Sequence, residues 1–240
     1  MKSFTVYPAI DLRGGKVVRL KQGDPHRQTI YGDDPQKMAQ KWLEAGATWL
    51  HIVNLDGAFG DKDSEKNLDS LKAILNTGAQ IQFGGGLRSW EDIENVLDLG
   101  VSRIILGTVA IEQPWLLEKA ITTYSAHRVA VGIDARQGRV RVRGWMEGTE
   151  LDPVVLAKNL RSTGLKRAIV TDITRDGMDQ GVNLDLARRI VEQAGLSVIV
   201  AGGVNSLEDV SRTRQAGLEG IIIGRALYEG QVSLEEALQC

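Results

Sequence analysis

The sequence predicts an α/β protein, a (β/α)8 TIM barrel with a twofold half-barrel repeat, and three observations predict it. Short β-branched runs bounded by Gly, Asp or Asn alternate with amphipathic helical stretches along all 240 residues, the rhythm of strands joined by crossover helices. Several runs, among them Ile104-Ile105-Leu106 and Ile221-Ile222-Ile223, are apolar at consecutive positions, as strands covered on both faces must be. The chain also repeats itself. Phe83-Gly84-Gly85-Gly86-Leu87-Arg88-Ser89 aligns with Val200-Ala201-Gly202-Gly203-Val204-Asn205-Ser206 at an offset of 117 (202 − 85), and Ile104-Ile105-Leu106-Gly107-Thr108 aligns with Ile221-Ile222-Ile223-Gly224-Arg225 at the same offset. Half-barrels of about 1–124 and 125–240 follow. Neither buries its sheet face alone, so one domain, 1–240, is expected. The rival is an open doubly wound sheet, which the repeat disfavours.

In order, strands are expected at about 4–11, 49–54, 79–84, 102–107, 128–134, 167–172, 197–202 and 220–224. Asp34-Pro35 opens the first helix, with Pro at the first helical position, and Gly46 closes it. Ser89-Trp90-Glu91-Asp92 is a capping box, and Ser206-Leu207-Glu208-Asp209 has a related pattern. Pro153 to Ser162 and Leu184 to Ala194 read as two further helices. The opening strand recurs at 134 − 11 = 123, each copy ending in an aspartate. After each aspartate comes a long hairpin-like loop, 12–34 and 135–152, rich in Lys and Arg.

Composition narrows the class. An apolar share of 42% with 25% charged residues fits a soluble globular chain. A net charge of −2 gives no bulk basic field for nucleic acid or an anionic membrane. No apolar run is long enough to span a bilayer, and a strand begins almost at once, leaving no room for a signal peptide. The only cysteine, Cys240, rules out an intrachain disulfide, which suits a reducing cytoplasm. His26, His51 and His127 have no metal-ligand spacing, so no metal site is expected.

In such barrels chemistry sits at the C-terminal strand ends. Here these read Asp11, Asn54, Gly84, Gly107, Asp134, Thr171, Gly202 and Gly224. No lysine ends a strand, which argues against Schiff-base aldolase chemistry. The glycines form two equivalent clusters, and glycine at a strand end lets a phosphate approach backbone N–H groups. Gly202-Gly203 and Gly224-Arg225 occupy the usual phosphate position of the fold. A substrate phosphorylated at both ends is the natural ligand. Asp11 and Asp134 stand on equivalent strands across the mouth, an arrangement suited to general acid and base catalysis. Alternatively, each caps a strand or pairs with a nearby Arg. Arg19 and Arg143 are candidates for closing a lid over an anion. Trp145 either stacks on a heterocycle or anchors its loop. Which polar group of Thr171-Asp172-Ile173-Thr174-Arg175-Asp176 faces the ligand is left open by spacing.

The motifs PAIDL-x-x-G-x-VVRL-x-QGD, LHIVNLDGA, FGGGLRS, GIDARQGRVRVRGW, TDITRDGM-x-x-G-x-N, AGGV and GRALYEG together resemble the phosphoribosylformimino-aminoimidazole carboxamide ribotide isomerases of histidine biosynthesis, over essentially the whole chain. The resemblance implies a (β/α)8 barrel performing an Amadori rearrangement, aminoaldose to aminoketose, on a bisphosphate without a cofactor. It implies that Asp11 is the general base at C2 of the opened ribose. Asp134 would be the acid that protonates the furanose oxygen. Thr171 and Asp176 would orient the substrate or the acid. His51, Arg19, Arg143 and Trp145 would contact substrate or close loops, and Gly85, Gly86, Gly107, Thr108, Gly202, Gly203, Gly224 and Arg225 would line the phosphate loops. Asn54 departs from the Asp common at that position, which puts substrate contacts there in doubt. Rival readings are the sister cyclase, which has a Lys in place of Arg19 and lacks the Arg143-Gly144-Trp145 signature, a bifunctional isomerase also accepting phosphoribosylanthranilate, and a phosphosugar-binding regulatory barrel. The expected partner is the small bisphosphate alone, acted on by a cytoplasmic monomer.

Overall fold

The computed structural model describes residues 4–61, 64–178 and 180–240. Its centre is a ring of eight parallel strands: β1 (Thr5–Arg13), β2 (Trp49–Asn54), β3 (Gln80–Gly84), β4 (Arg103–Leu106), β5 (Val129–Arg136), β6 (Arg167–Asp172), β7 (Ser197–Ala201) and β8 (Gly220–Ile223). Each pairs with its sequence neighbour. β8 then returns to β1 in the register Thr5↔Gly220 to Pro8↔Ile223. The sheet is closed, which excludes the open doubly wound arrangement.

Helices α1 (Pro35–Glu44), α2 (Ser64–Leu75), α3 (Trp90–Asp98), α4 (Pro114–Tyr124), α5 (Pro153–Ser162), α6 (Leu184–Ala194), α7 (Leu207–Gln215) and α8 (Leu234–Gln239) form the outer layer. Their starts follow the local chemistry. The Asp34 carboxylate accepts from Lys37 N–H ahead of Pro35, and Ser89 and Asp92 complete the expected capping box. Ser206 caps α7 in the same way, accepting from Asp209 N–H at 3.3 Å. No helix among the described residues is long and apolar enough to cross a membrane.

Two apolar layers result from the period of two along each strand. Val6, Ile10 and Leu12 of β1 face the helices and join the main core. Tyr7 and Ala9 face inward, meeting Ile105, Ala130, Ile169, Ile199 and Ile222 inside the ring. The interior is therefore filled, and the cavities described below lie at its upper end.

β1 and β5 both continue past the rim into antiparallel hairpins, the two long loops expected from sequence. Lys16–Lys21 folds back on β1, with Asp11 opposite Val18, and Asp24–Gly32 pairs with it in turn. Arg139–Val142 folds back on β5, with Ala135 opposite Val140. Each aspartate thus stands where a barrel strand becomes a hairpin strand.

Candidate active site

Strand parity decides which side chains reach the barrel mouth. Asp11 shares the inward face of β1 with Tyr7 and Ala9; on β2 that face carries His51 and Val53, and on β5 Asp134. Two adjoining cavities open there. One, of about 630 Å³, is lined by Gly85, Gly86, Gly107 and Thr108 after β3 and β4, together with Asp134 and Arg143. The other, of about 120 Å³, is lined by Gly202, Gly203, Gly224 and Arg225 after β7 and β8, together with Arg19. Asp11, His51, Trp145, Thr171 and Asp176 line both. The residues expected to serve one ligand therefore lie around one continuous hollow, with the titratable groups at its waist and a glycine cluster at each end.

The glycines serve the backbone as well as the hollow. Gly85 has φ +99, and a Cβ there would overlap the Asn54 carbonyl. Gly203 has φ +89, and a Cβ would overlap the Gly181 carbonyl and approach Arg175 Cβ to 3.0 Å. Each cluster packs its loop against the loop of the preceding strand. Gly107 and Gly224 share the unusual pair of torsions φ −101, ψ −111 and φ −107, ψ −103. Each precedes a short helix, Thr108–Glu112 and Arg225–Tyr228.

Asp11 is buried, Asp134 and Asp176 are half-buried, and the three are differently partnered. Arg19 Nη1 donates to Asp11 Oδ2 at 2.8 Å, and its Nη2 lies 3.6 Å from Asp176 Oδ1. Burial pushes the Asp11 carboxyl up to about 6, with Arg19 pulling it back and Asp176 adding repulsion. Burial also raises Asp134, opposed only by neutral donors, the Thr171 hydroxyl and the Trp145 indole N–H. Asp176 is raised by burial against the pull of Arg19 and Arg225. Asp11 therefore has a cation that favours its ionised form, Asp134 has neutral donors that do so, and Asp176 repels both.

The first hairpin lies over this waist. Gln22 Nε2 donates to the Thr174 carbonyl at 3.1 Å, and Arg136 donates to the Gln22 carbonyl at 3.3 Å. Gly23 lies flat against the Trp145 ring, so tightly that a Cβ would overlap it. Trp145 (φ +70) thus both anchors the second loop and reaches Asp134.

Two expectations change in detail. Asn54 has the outward parity of β2 and lines neither cavity. Its Oδ1 accepts from Gly57 N–H at 3.0 Å, capping Leu55–Phe59, and from Asn67 Nδ2 at 2.7 Å. Asp172 and Asn183 repeat this pair at 2.7 Å in the second half. Asn54 is a structural cap rather than a substrate contact. Arg143 turns its guanidinium to Glu112 and Glu147, each at 3.1 Å, while its backbone N–H donates to Thr108 Oγ1 at 2.8 Å. It lines the larger cavity from its rim.

Sequence reading missed Gln82 and Arg103. Both are inward-facing and buried, at 0% and 5% exposure, and they connect to His51. The available signal was a polar side chain at an inward position of an apolar strand. Among the described residues, no three His, Cys, Asp or Glu side chains are grouped as a metal would require.

A closed (β/α)8 barrel with two carboxylates between two glycine-lined lobes defines a class, the (β/α)8-barrel proteins with a site at the C-terminal strand ends. Comparison with known proteins narrows it. A family model described as histidine biosynthesis protein matches residues 5–233, and the chain belongs to that family. It is 46% identical over 235 residues to a protein of Anaeromyxobacter dehalogenans, covering 98% of each chain. It is also 46% identical to one of Desulfitobacterium hafniense, covering 98% of this chain and 95% of the other, and 44% identical to one of Moorella thermoacetica, covering 97% and 96%. All three relatives are named 1-(5-phosphoribosyl)-5-((5-phosphoribosylamino)methylideneamino) imidazole-4-carboxamide isomerase.

Proposed function

We propose that this chain is the isomerase for which these relatives are named, converting the bisphosphorylated aminoaldose ribotide to its aminoketose. The observation that carries the reading is the single hollow with Asp11 and Asp134 at its waist and an equivalent glycine cluster at each end. A ligand name with two phosphoribosyl groups fits a site with two such ends.

In the chemistry this reading requires, Asp134 gives its proton to the furanose ring oxygen as the C1–O bond breaks. The lone pair of the glycosidic nitrogen then forms the C=N bond of an open-chain Schiff base. Asp11 removes the proton from C2. The C–H electrons become a C1=C2 double bond, and the C=N electrons return to nitrogen. The protonated Asp11 then gives its proton to C1 as the ionised Asp134 takes the proton of the C2 hydroxyl, which completes the ketone and restores both side chains. Each proton transfer is between a side chain and an adjacent substrate atom, the task buried carboxylates with shifted pKa values perform. Arg19 holds Asp11 toward its ionised form, while Thr171 and Trp145 orient Asp134. The glycine loops hold the phosphates through backbone N–H groups. This reading needs no cofactor and takes the chain to act as a monomer in the cytoplasm, a reducing setting that the single cysteine suits.

An absorbance assay on the purified aminoaldose ribotide, repeated with phosphoribosylanthranilate, tests the reading. Turnover of the first alone is expected. Turnover of neither would overturn it, and turnover of both would widen it to a bifunctional isomerase.

A further inference from the structure

A row of polar side chains crosses the barrel interior below the mouth. His51, Gln82 and Arg103 stand on three consecutive strands and are successive register partners, His51 opposite Gln82 and Gln82 opposite Arg103. Gln82 is fully buried. Arg103 Nη1 donates to Gln82 Oε1 at 2.9 Å, and Gln82 Nε2 lies 3.1 Å from His51 Nδ1. We propose that Gln82, its amide oriented by Arg103, is a positioning residue that fixes the His51 proton on Nε2 and so makes that ring a hydrogen-bond donor to substrate on the Asp11 side of the mouth.

A guanidinium can only donate, so the amide atom facing Arg103 must be oxygen. A flipped amide would set two donors against each other in the buried interior, at a cost the observed orientation avoids. Arg103 is itself fixed, stacked at 4.4 Å over the Trp49 ring and within 3.4 Å of the Tyr7 hydroxyl. The Gln82 NH₂ is therefore the group presented to His51, and Nδ1 must accept from it. Burial and the neighbouring Arg19 hold the His51 pKa down to about 3, so the ring is neutral at working pH. A neutral ring that accepts at Nδ1 carries its one proton at Nε2. His51 lines both cavities beside Asp11, so that N–H faces the hollow. An uncharged donor holds a substrate oxygen close to the carbon Asp11 works on without offsetting the charge of the base.

The proposal rests on the isomerase reading for its catalytic half only, since the tautomer is measurable without substrate. Long-range ¹H–¹⁵N correlation spectra of the full chain would be assigned by comparison with His51→Gln. They are expected to show a neutral His51 protonated at Nε2 between pH 6 and 8. In Gln82→Glu a carboxylate, which only accepts, faces Nδ1, and the proton is expected to move there; Arg103 keeps its partner, which favours folding. In Gln82→Met the ring has no partner and both tautomers are expected. On the aminoaldose ribotide, Gln82→Glu is expected to lose roughly tenfold or more in kcat with a smaller change in KM. A wild-type ring protonated at Nδ1, or charged, overturns the proposal, as does an unchanged tautomer in Gln82→Glu. A moved proton with unchanged kcat overturns the catalytic half alone. Absence of wild-type turnover contradicts the isomerase reading and leaves the spectral result to stand or fall on its own.

Discussion

Arg19 reaches back across the first hairpin to donate to Asp11, Nη1 to Oδ2 at 2.8 Å, in a pocket where both side chains are largely removed from solvent. Burial and Arg19 act on Asp11 in opposite directions, and burial prevails, leaving the carboxyl at about 6. The proposed base works only when ionised, so kcat/KM should rise with pH through a limb near that value.

Replacing Arg19 by Met removes the charge that lowers the Asp11 pKa, so the rising limb should move to higher pH by about one unit or more. Activity at pH 6 should then fall further than activity at pH 8. A pH profile of kcat/KM for both proteins checks this. An unmoved limb would show that Arg19 does not govern the group that titrates.

Trp145→Phe keeps a ring against Gly23 but removes the N–H that lowers the Asp134 pKa. The proposed acid must be protonated to act, so a raised pKa should extend activity toward alkaline pH. The falling limb of the same profile is the measurement. A shift toward acid pH would contradict the hydrogen bond to Asp134.

The glycine clusters separate two effects that sequence alone merged. A larger residue at Gly203 that did no more than obstruct a phosphate would raise KM alone. Its φ of +89 and the Gly181 carbonyl beside it show that even Ala must displace the loop after β6. Gly203→Ala should therefore lower stability by about 1–3 kcal/mol as well as raise KM. Gly85→Ala should do the same through the Asn54 carbonyl. Urea denaturation beside steady-state kinetics distinguishes this from a KM effect without loss of stability.

Fold and site were legible to different depths. The repeat of Gly85 at Gly202 and of Asp11 at Asp134 was enough to imply a barrel with paired ends, because strand period and glycine chemistry are local. Asn54 was misread because the last residue of a strand was assumed to face the ligand; parity with His51 turns it toward the helices. Arg143 does line the larger cavity, but its ion pair with Glu112, 31 residues earlier in sequence, was not legible because only the closed ring brings the two together. Gln82 and Arg103 lay outside the sequence reading because their meaning depends on lateral register between β2, β3 and β4. Which aspartate acts as base rests on resemblance; the structure adds that Asp11 is paired with the Arg19 cation and Asp134 with neutral donors.

The pair itself is tested most directly by Asp11→Asn and Asp134→Asn, assayed by absorbance on the aminoaldose ribotide alongside calorimetric binding of the same compound. Each variant should lose kcat by about 10³-fold or more while its Kd stays within about threefold. Near-wild-type turnover in either variant would contradict the role given to that aspartate.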